Sequence, residues 1–118
     1  MNKNIQVGKT GEDLATRYLE KLGYDIIQRN YKCKTGEIDI IAKDNKTIVF
    51  VEVKTRSSQI FGNPAESIGS KKLSSIIKAL QFWLLINNKT QDDIRVDAIE
   101  VNFESGDYKL NHIKNITL

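Results

Sequence analysis

Hydrophobic residues recur along this chain in two rhythms, one every three or four positions and one every second position. Over residues 8 to 22 the first rhythm holds: Leu14, Ala15, Tyr18, Leu19 and Leu22 share one face of a helix. Thr10 offers a cap at its start, with Asp13 three positions later, and Gly23 stands where a helix-ending glycine belongs. Residues 24 to 32 alternate loosely through Tyr24, Ile26, Ile27 and Tyr31 and predict a strand. Residues 37 to 43 and 47 to 55 are rich in Ile and Val and predict two stronger strands, with Lys43-Asp44-Asn45-Lys46 as the polar turn between them. From Thr55 to Gly69 come paired serines, two glycines and the single proline, Pro64, so 55–69 reads as a long mobile loop. Ser70 is then the expected cap of a second helix reaching about Asn87, with Leu73, Ile76, Ile77, Leu80, Trp83 and Leu84 on its core face. Asn87 to Asp92 form a polar turn. Residues 94 to 103 and 108 to 116 alternate as two last strands, joined by Glu104-Ser105-Gly106-Asp107. The order α-β-β-β-α-β-β predicts an α/β fold, a mixed β-sheet flanked by two helices.

The central hairpin carries more than a fold prediction. Side chains on a strand alternate between faces. Ile38, Ile40 and Ala42 are expected on one face and Glu37, Asp39 and Ile41 on the other. On the next strand Val49, Val51 and Val53 oppose Phe50, Glu52 and Lys54. Pairing the two apolar faces fixes the register, because a slip of one residue would set valines against charges. Asp39 then falls opposite Phe50 or Glu52. Either way Glu37, Asp39, Glu52 and Lys54 share a face near one end of the hairpin, with direct neighbours roughly 5 Å apart and diagonal ones about 7–8 Å.

A solvated polar face would account for these charges if the face were polar throughout. It also holds Ile41, Ile48 and Phe50, which need a cover. Grouped carboxylates beside an apolar patch repel one another and lose hydration, and Lys54 alone does not neutralise them. A divalent cation would, and hard oxygen ligands suit Mg²⁺ or Mn²⁺. A metal held by Asp39 and Glu52 lowers the pKa of a bound water and offsets charge on a phosphodiester. Lys54, on the same face, can orient the attacking water or stabilise the transition state.

Composition limits the alternatives. The 118 residues suit a single domain, 1–118, and a 40% hydrophobic content supports a real core. One cysteine, Cys33, excludes an internal disulfide and a cysteine-rich zinc site; one histidine, His112, excludes a His-rich site within one chain. The longest apolar stretch, around Ala79 to Ile86, is too short to span a bilayer, and Met1-Asn2-Lys3-Asn4 lacks the apolar core of a secretion signal. A cytoplasmic protein without a membrane partner is expected. The net charge of +3, with a pI of 9.0, is compatible with a polyanionic partner. Arg29, Lys32 and Lys34 make one basic group, and Lys54, Arg56, Lys71, Lys72 and Lys78 another around the loop and second helix. Arg29, Lys34, Arg56, Lys71 and Lys72 are the candidate phosphate contacts, though each alone reads equally as a surface charge. Tyr31 and Phe61 could stack on bases. Cys33 has no partner motif, and His112 lies on a terminal strand.

Asp39 followed thirteen positions on by Glu52-Val53-Lys54 resembles the signature of the PD-(D/E)xK nuclease superfamily, with Ile38 in place of the proline. The fuller pattern is similar to the bacterial YraN-like family of predicted endonucleases. It comprises Gly11-Glu12, Gly23-Tyr24, Arg29-Asn30-Tyr31, Gly36-Glu37-Ile38-Asp39, Phe50-Val51-Glu52-Val53-Lys54-Thr55-Arg56 and Phe61-Gly62 with Pro64. Archaeal Holliday-junction resolvases share a helix-borne glutamate with the same acids. The resemblance implies a restriction-endonuclease-like core, with Asp39, Glu52 and Lys54 as catalytic residues. It adds Glu12 as a metal-assisting acid beside Asp39 and Glu52, with Glu37 as a further or outer ligand. Glu12 reads equally as an acid favoured in a first helical turn, and Glu37 as a strand-end charge. The implied activity is Mg²⁺- or Mn²⁺-dependent endonuclease cleavage of nucleic acid, with DNA the expected polymer and branched DNA a further candidate. A homodimer is a candidate assembly, since two strands call for two sites. The alternative is a non-catalytic nucleic-acid-binding or protein-interaction module that keeps the fold; the intact acid set argues against it.

Overall fold

The first helix ends through its backbone. In the computed structural model, which describes residues 3–57 and 69–117 with side chains from Lys9 onward, helix α1 spans Lys3–Lys21. The Tyr24 N–H donates to the Leu19 carbonyl at 3.0 Å and the Gly23 N–H to the Glu20 carbonyl at 3.0 Å. This is a Schellman ending, and it needs the positive φ of 92° that Gly23 supplies. The helix starts five residues before the expected position 8, so Thr10 is interior and does not cap it. Gly8 weakens a helix by about 1 kcal/mol without ending it. Leu22, expected on the core face, is half exposed because it follows the last helical residue.

Strands β1 (Asp25–Cys33), β2 (Gly36–Asp44) and β3 (Thr47–Ser57) follow, then α2 (Ser70–Ile86), β4 (Asp93–Glu104) and β5 (Asp107–Ile113). The five strands lie in sequence order in one sheet. Neighbours pair antiparallel except β3 and β4, which are parallel and joined through α2. The chain thus forms the mixed α/β sheet with two helices, in the order α-β-β-β-α-β-β, of a restriction-endonuclease-like fold. No described helix is long and apolar enough to cross a membrane.

Several boundaries differ from expectation. The predicted loop begins later, because β3 continues through Thr55 to Ser57 beside β4; residues 58–68, including Phe61 and Pro64, lie outside those described. Gly69, not Ser70, caps α2 and offers no side-chain bond. The last strand ends at Ile113 rather than 116. There Asn115 takes a φ of 57° and the Ile116 N–H returns to the Val96 carbonyl at 2.8 Å.

Each face of the sheet carries one helix and one core. Ala15 and Leu19 of α1 pack on Ile40, Ala42, Val49, Val51, Ile99 and Val101. Ile76, Ala79, Leu80, Trp83 and Leu84 of α2 pack on Ile38, Ile41, Ile48, Phe50 and Val96. Trp83 meets Phe50 edge-on at 5.7 Å between centroids, and its indole N–H donates to Gln28 Oε1 at 3.0 Å. Burial on both faces explains the near-continuous apolar runs of the central strands.

Ile38 overturns one expectation. It lies in the α2 core with Ile41, not in the α1 core with Ile40 and Ala42. Strict alternation would separate Ile38 from Ile41, so β2 loses its rhythm at Asp39. The β2–β3 ladder stops there too, running from Asp44↔Thr47 to Ile40↔Val51 and no further. Beyond it β2 continues beside β1 to Gly36, and β3 continues beside β4 to Ser57. The sheet splits into a notch between β2 and β3.

Candidate metal centre

The notch holds the two central acids. At its closed end the backbone ladder is replaced by a side chain: the Val53 N–H donates to Asp39 Oδ2 at 2.8 Å. That bond holds Asp39 across the gap against β3. Glu52 lies on the α2 side and is only 7% exposed. Its Oε1 sits 3.6 Å from Nζ of Lys72, in the first turns of α2. Its Oε2 is buried without a hydrogen-bond partner among the described residues.

Both carboxyls are displaced upward. Burial is the main cause for Asp39, opposed by the Val53 N–H and Lys72 and reinforced by the charges of Glu12 and Glu37. Burial also dominates for Glu52, whose pKa is pushed to about 7, with the Asp39 charge next and Lys72 in opposition. Beside burial, the neighbouring Asp39 charge favours a proton on Glu52. The two neighbouring acids, one oxygen of Glu52 unpartnered among the described residues, carry more negative charge than the single ammonium of Lys72 offsets.

The other proposed acids stand further out. Glu12 belongs to the turn of α1 pressed on β3, where Gly11 contacts Thr55 so closely that a Cβ there would overlap its side chain. Glu12 Oε1 accepts from Arg29 at 3.1 Å, and Asp13 Oδ1 from the same guanidinium nitrogen at 2.7 Å. Glu37 is exposed. Among the described residues no three acids, histidines or cysteines come close enough to form a metal cluster, so the structure gathers Asp39 and Glu52 and leaves Glu12 and Glu37 outside that pair. Two carboxylates still fit Mg²⁺, which commonly keeps several waters and takes one or two protein carboxylates plus substrate phosphates. The unpartnered Glu52 Oε2 supports that fit.

The basic residues divide. Arg29 is committed to Glu12 and Asp13, while Lys72 sits on Glu52. Lys34, Lys54 and Lys71 are exposed. Arg56 is half-buried, and its Nε has no partner. A shallow cavity of about 360 Å³ opens beside the notch, lined by Lys32, Cys33, Gly36, Glu37, Lys72 and Ser75.

Two features were not anticipated from sequence. Asp97 of β4, fully buried, accepts from Arg95, from the Asn115 N–H at 3.0 Å and from His112 at 2.7 Å. His112 in turn meets the Tyr18 hydroxyl at 3.0 Å. His112, Arg95 and the Asn115 N–H hold the Asp97 pKa down against burial. This network fastens α1, β4, β5 and the tail together on the side away from α2. The second feature is Glu100, also buried; no local pattern separated it from a surface acid on an alternating strand.

Residues 11–101 match the profile described as "Uncharacterised protein family UPF0102". The chain belongs to the UPF0102 family. A UPF0102 protein of Alkaliphilus oremlandii (strain OhILAs) is 50% identical over 117 residues, covering 98% of each chain. One of Clostridium perfringens (strain ATCC 13124) is 45% identical over 114 residues, covering 95% of this chain and 93% of its own. One of Clostridium botulinum (strain Hall) is 45% identical over 117 residues, covering 95% and 94%. The stretch matched by UPF0102 runs from the Gly11 contact to Val101, so it includes both walls of the notch and excludes β5.

Proposed function

We propose that this UPF0102 protein is a Mg²⁺- or Mn²⁺-dependent endonuclease of the PD-(D/E)xK superfamily that hydrolyses phosphodiester bonds in nucleic acid. The observation that carries the reading is the Asp39–Glu52 pair in the notch, Glu52 buried and Asp39 half-buried, with Glu52 Oε2 unpartnered among the described residues. Buried polar atoms of native proteins find partners, and charged ones most of all. Asp39 and Glu52 would hold the cation, whose charge would offset the repulsion that raises the Glu52 pKa.

When bound, the cation supplies a water of lowered pKa and a positive charge against the phosphodiester. The chain's residues do the rest. Asp39 is pre-positioned by the Val53 N–H, so its ligand geometry is set before substrate arrives. Lys72 offsets part of the Glu52 charge and, being 42% exposed, can turn to a phosphate. Lys54 leaves β3 two residues after Glu52 on the same face, where its ammonium can orient water or meet charge developing on the phosphate. Lys34, Lys71 and Arg56 supply phosphate contacts around the opening. Arg29 acts through Glu12, which it holds near the pair. DNA is the preferred polymer in this reading, branched DNA included, with one nuclease domain over 1–118 acting in the cytoplasm and a homodimer where two strands are cut.

The test is cleavage of linear, single-stranded, flapped and four-way DNA and of RNA with Mg²⁺ or Mn²⁺, using the wild type, Asp39→Ala and Glu52→Ala. Cutting by the wild type and not by folded variants is the expected result. One observation favours the second reading, a binding module without catalysis. Phe82, Leu85 and Ile86 form an apolar ridge on α2, 48%, 65% and 61% exposed. No cutting of any substrate in any metal would select that reading, with salt-sensitive nucleic-acid binding pointing to its nucleic-acid form and the exposed ridge to its protein-interaction form.

A further inference from the structure

Glu100 is a carboxylate with one oxygen accounted for. It lies on β4, where Val96 faces the α2 core and Ile99 and Val101 face the α1 core. Alternation therefore places Glu100 on the α2 side, the side of Glu52 and Lys54. It is 1% exposed. Oε1 accepts from Asn111 Nδ2 of β5 at 3.1 Å, which fixes the carboxyl plane. Oε2 is buried with no partner among the described residues. An orphaned carboxylate oxygen calls for a donor, and a charged one serves best.

Register identifies the donor. In the parallel β3–β4 ladder Glu100 is the Cα partner of Lys54, and Glu52 is that of Ala98. Adjacent strands lie about 4.8 Å apart, well within reach of a four-carbon lysine stem. Lys54 is exposed, so its ammonium is free to change rotamer toward either strand. Arg56 lies one step further along the same face, diagonal to Glu100.

We propose that Glu100 is a positioning residue for Lys54: its unpartnered Oε2 receives the Lys54 ammonium and holds it on the α2 side of β3, beside Glu52. A lysine on an open strand samples many rotamers, whereas an anion clamped by Asn111 gives it one. The catalytic consequence rests on the nuclease reading; the contact itself does not.

The contact is measured by NMR on the full chain labelled with ¹⁵N-lysine and ¹⁵N-arginine, with Lys54 assigned by Lys54→Arg. In the wild type the Lys54 ammonium protons exchange slowly with water. In Glu100→Gln, exchange accelerates about tenfold, the loss of one charge-assisted hydrogen bond. Equal exchange in both proteins, or a change at Arg56 Nε instead of Lys54, overturns the proposal. Should Glu100→Gln fail to fold, Lys54→Met is used: the Glu100 ¹³Cδ resonance moves if the ammonium sat on it and stays in place if not. With Mn²⁺ and a cleavable DNA, Glu100→Gln lowers kcat and leaves KM unchanged. A wild type that cuts nothing defeats the nuclease reading, while the exchange measurement still decides Glu100.

Discussion

Glu52→Gln removes a charge that the metal-free fold tolerates poorly, so it should stabilise the protein while abolishing the proposed cleavage. In the unfolded chain the carboxyl titrates near 4.5; in the folded one, burial and the Asp39 charge push it to about 7. The folded state binds the proton more tightly between those values, so Glu52 makes stability fall as pH rises from about 4.5 to about 7 and level off above. At ~1.4 kcal/mol per tenfold, that displacement sets an upper bound of roughly 3 kcal/mol. Losing the contact with half-exposed Lys72 offsets less than about 1 kcal/mol of the gain. Urea unfolding in EDTA is the assay. At pH 8 the Gln variant should unfold later by ~1–2 kcal/mol, a midpoint shift of about 1 M for an m-value of about 1–3 kcal/mol/M. At pH 5 the difference should shrink to nearly nothing. Millimolar Mn²⁺ should stabilise the wild type and not the variant. A variant less stable than the wild type at pH 8, or a gain independent of pH, would refute the reasoning.

Other expectations follow from the packing. Asp97→Asn leaves Arg95 and His112 without their shared buried anion and should cost about 3–5 kcal/mol, seen as a fall in Tm at pH 7. Because the folded Asp97 pKa is depressed below 3.8, its contribution is complete above about pH 4 and is lost as pH falls through the folded value, so acid unfolding should begin earlier in the variant. Gly11→Ala drives a methyl into Thr55 and should destabilise by ~1–3 kcal/mol despite better helix propensity, with Thr55→Ala restoring most of the loss in denaturant unfolding. Lys54→Met should lower cleavage by at least ~100-fold in a gel assay and, by leaving the buried Glu100 carboxyl without its proposed partner, lower the unfolding free energy by about 1–3 kcal/mol in urea.

Much of the fold is legible in the sequence because its local rules agree. Gly23 ends α1 as expected, since no other residue adopts its φ of 92° as cheaply. The alternating valines of β3 locate the central hairpin, and the helical spacing of Ile76, Leu80, Trp83 and Leu84 locates α2 with its buried face. The start of α1 was misread because residues 3 to 8 lack a strong apolar rhythm. The pairing of Asp39 with Glu52 was legible as proximity but not as geometry. Alternation cannot announce its own interruption, so the slip that moves Ile38 to the α2 core, and the notch it opens, have no signature in the letters. Arg29 showed only its charge; its carboxylate partners lie 16 and 17 residues away on another element. Asp97, Arg95 and His112 were missed for the same reason, and Glu100 because burial at a strand position depends on what covers it.

The central claim is that Asp39 and Glu52 hold a catalytic cation, and one experiment tests it most directly. Branched and linear DNA are incubated with wild type, Asp39→Ala and Glu52→Ala, in Mn²⁺, Mg²⁺ or EDTA, with folding of each protein confirmed by circular dichroism. The account predicts cutting by the wild type in either metal, none in EDTA, and none by either variant in any condition. Cutting that persists in both variants, or in EDTA, would contradict it.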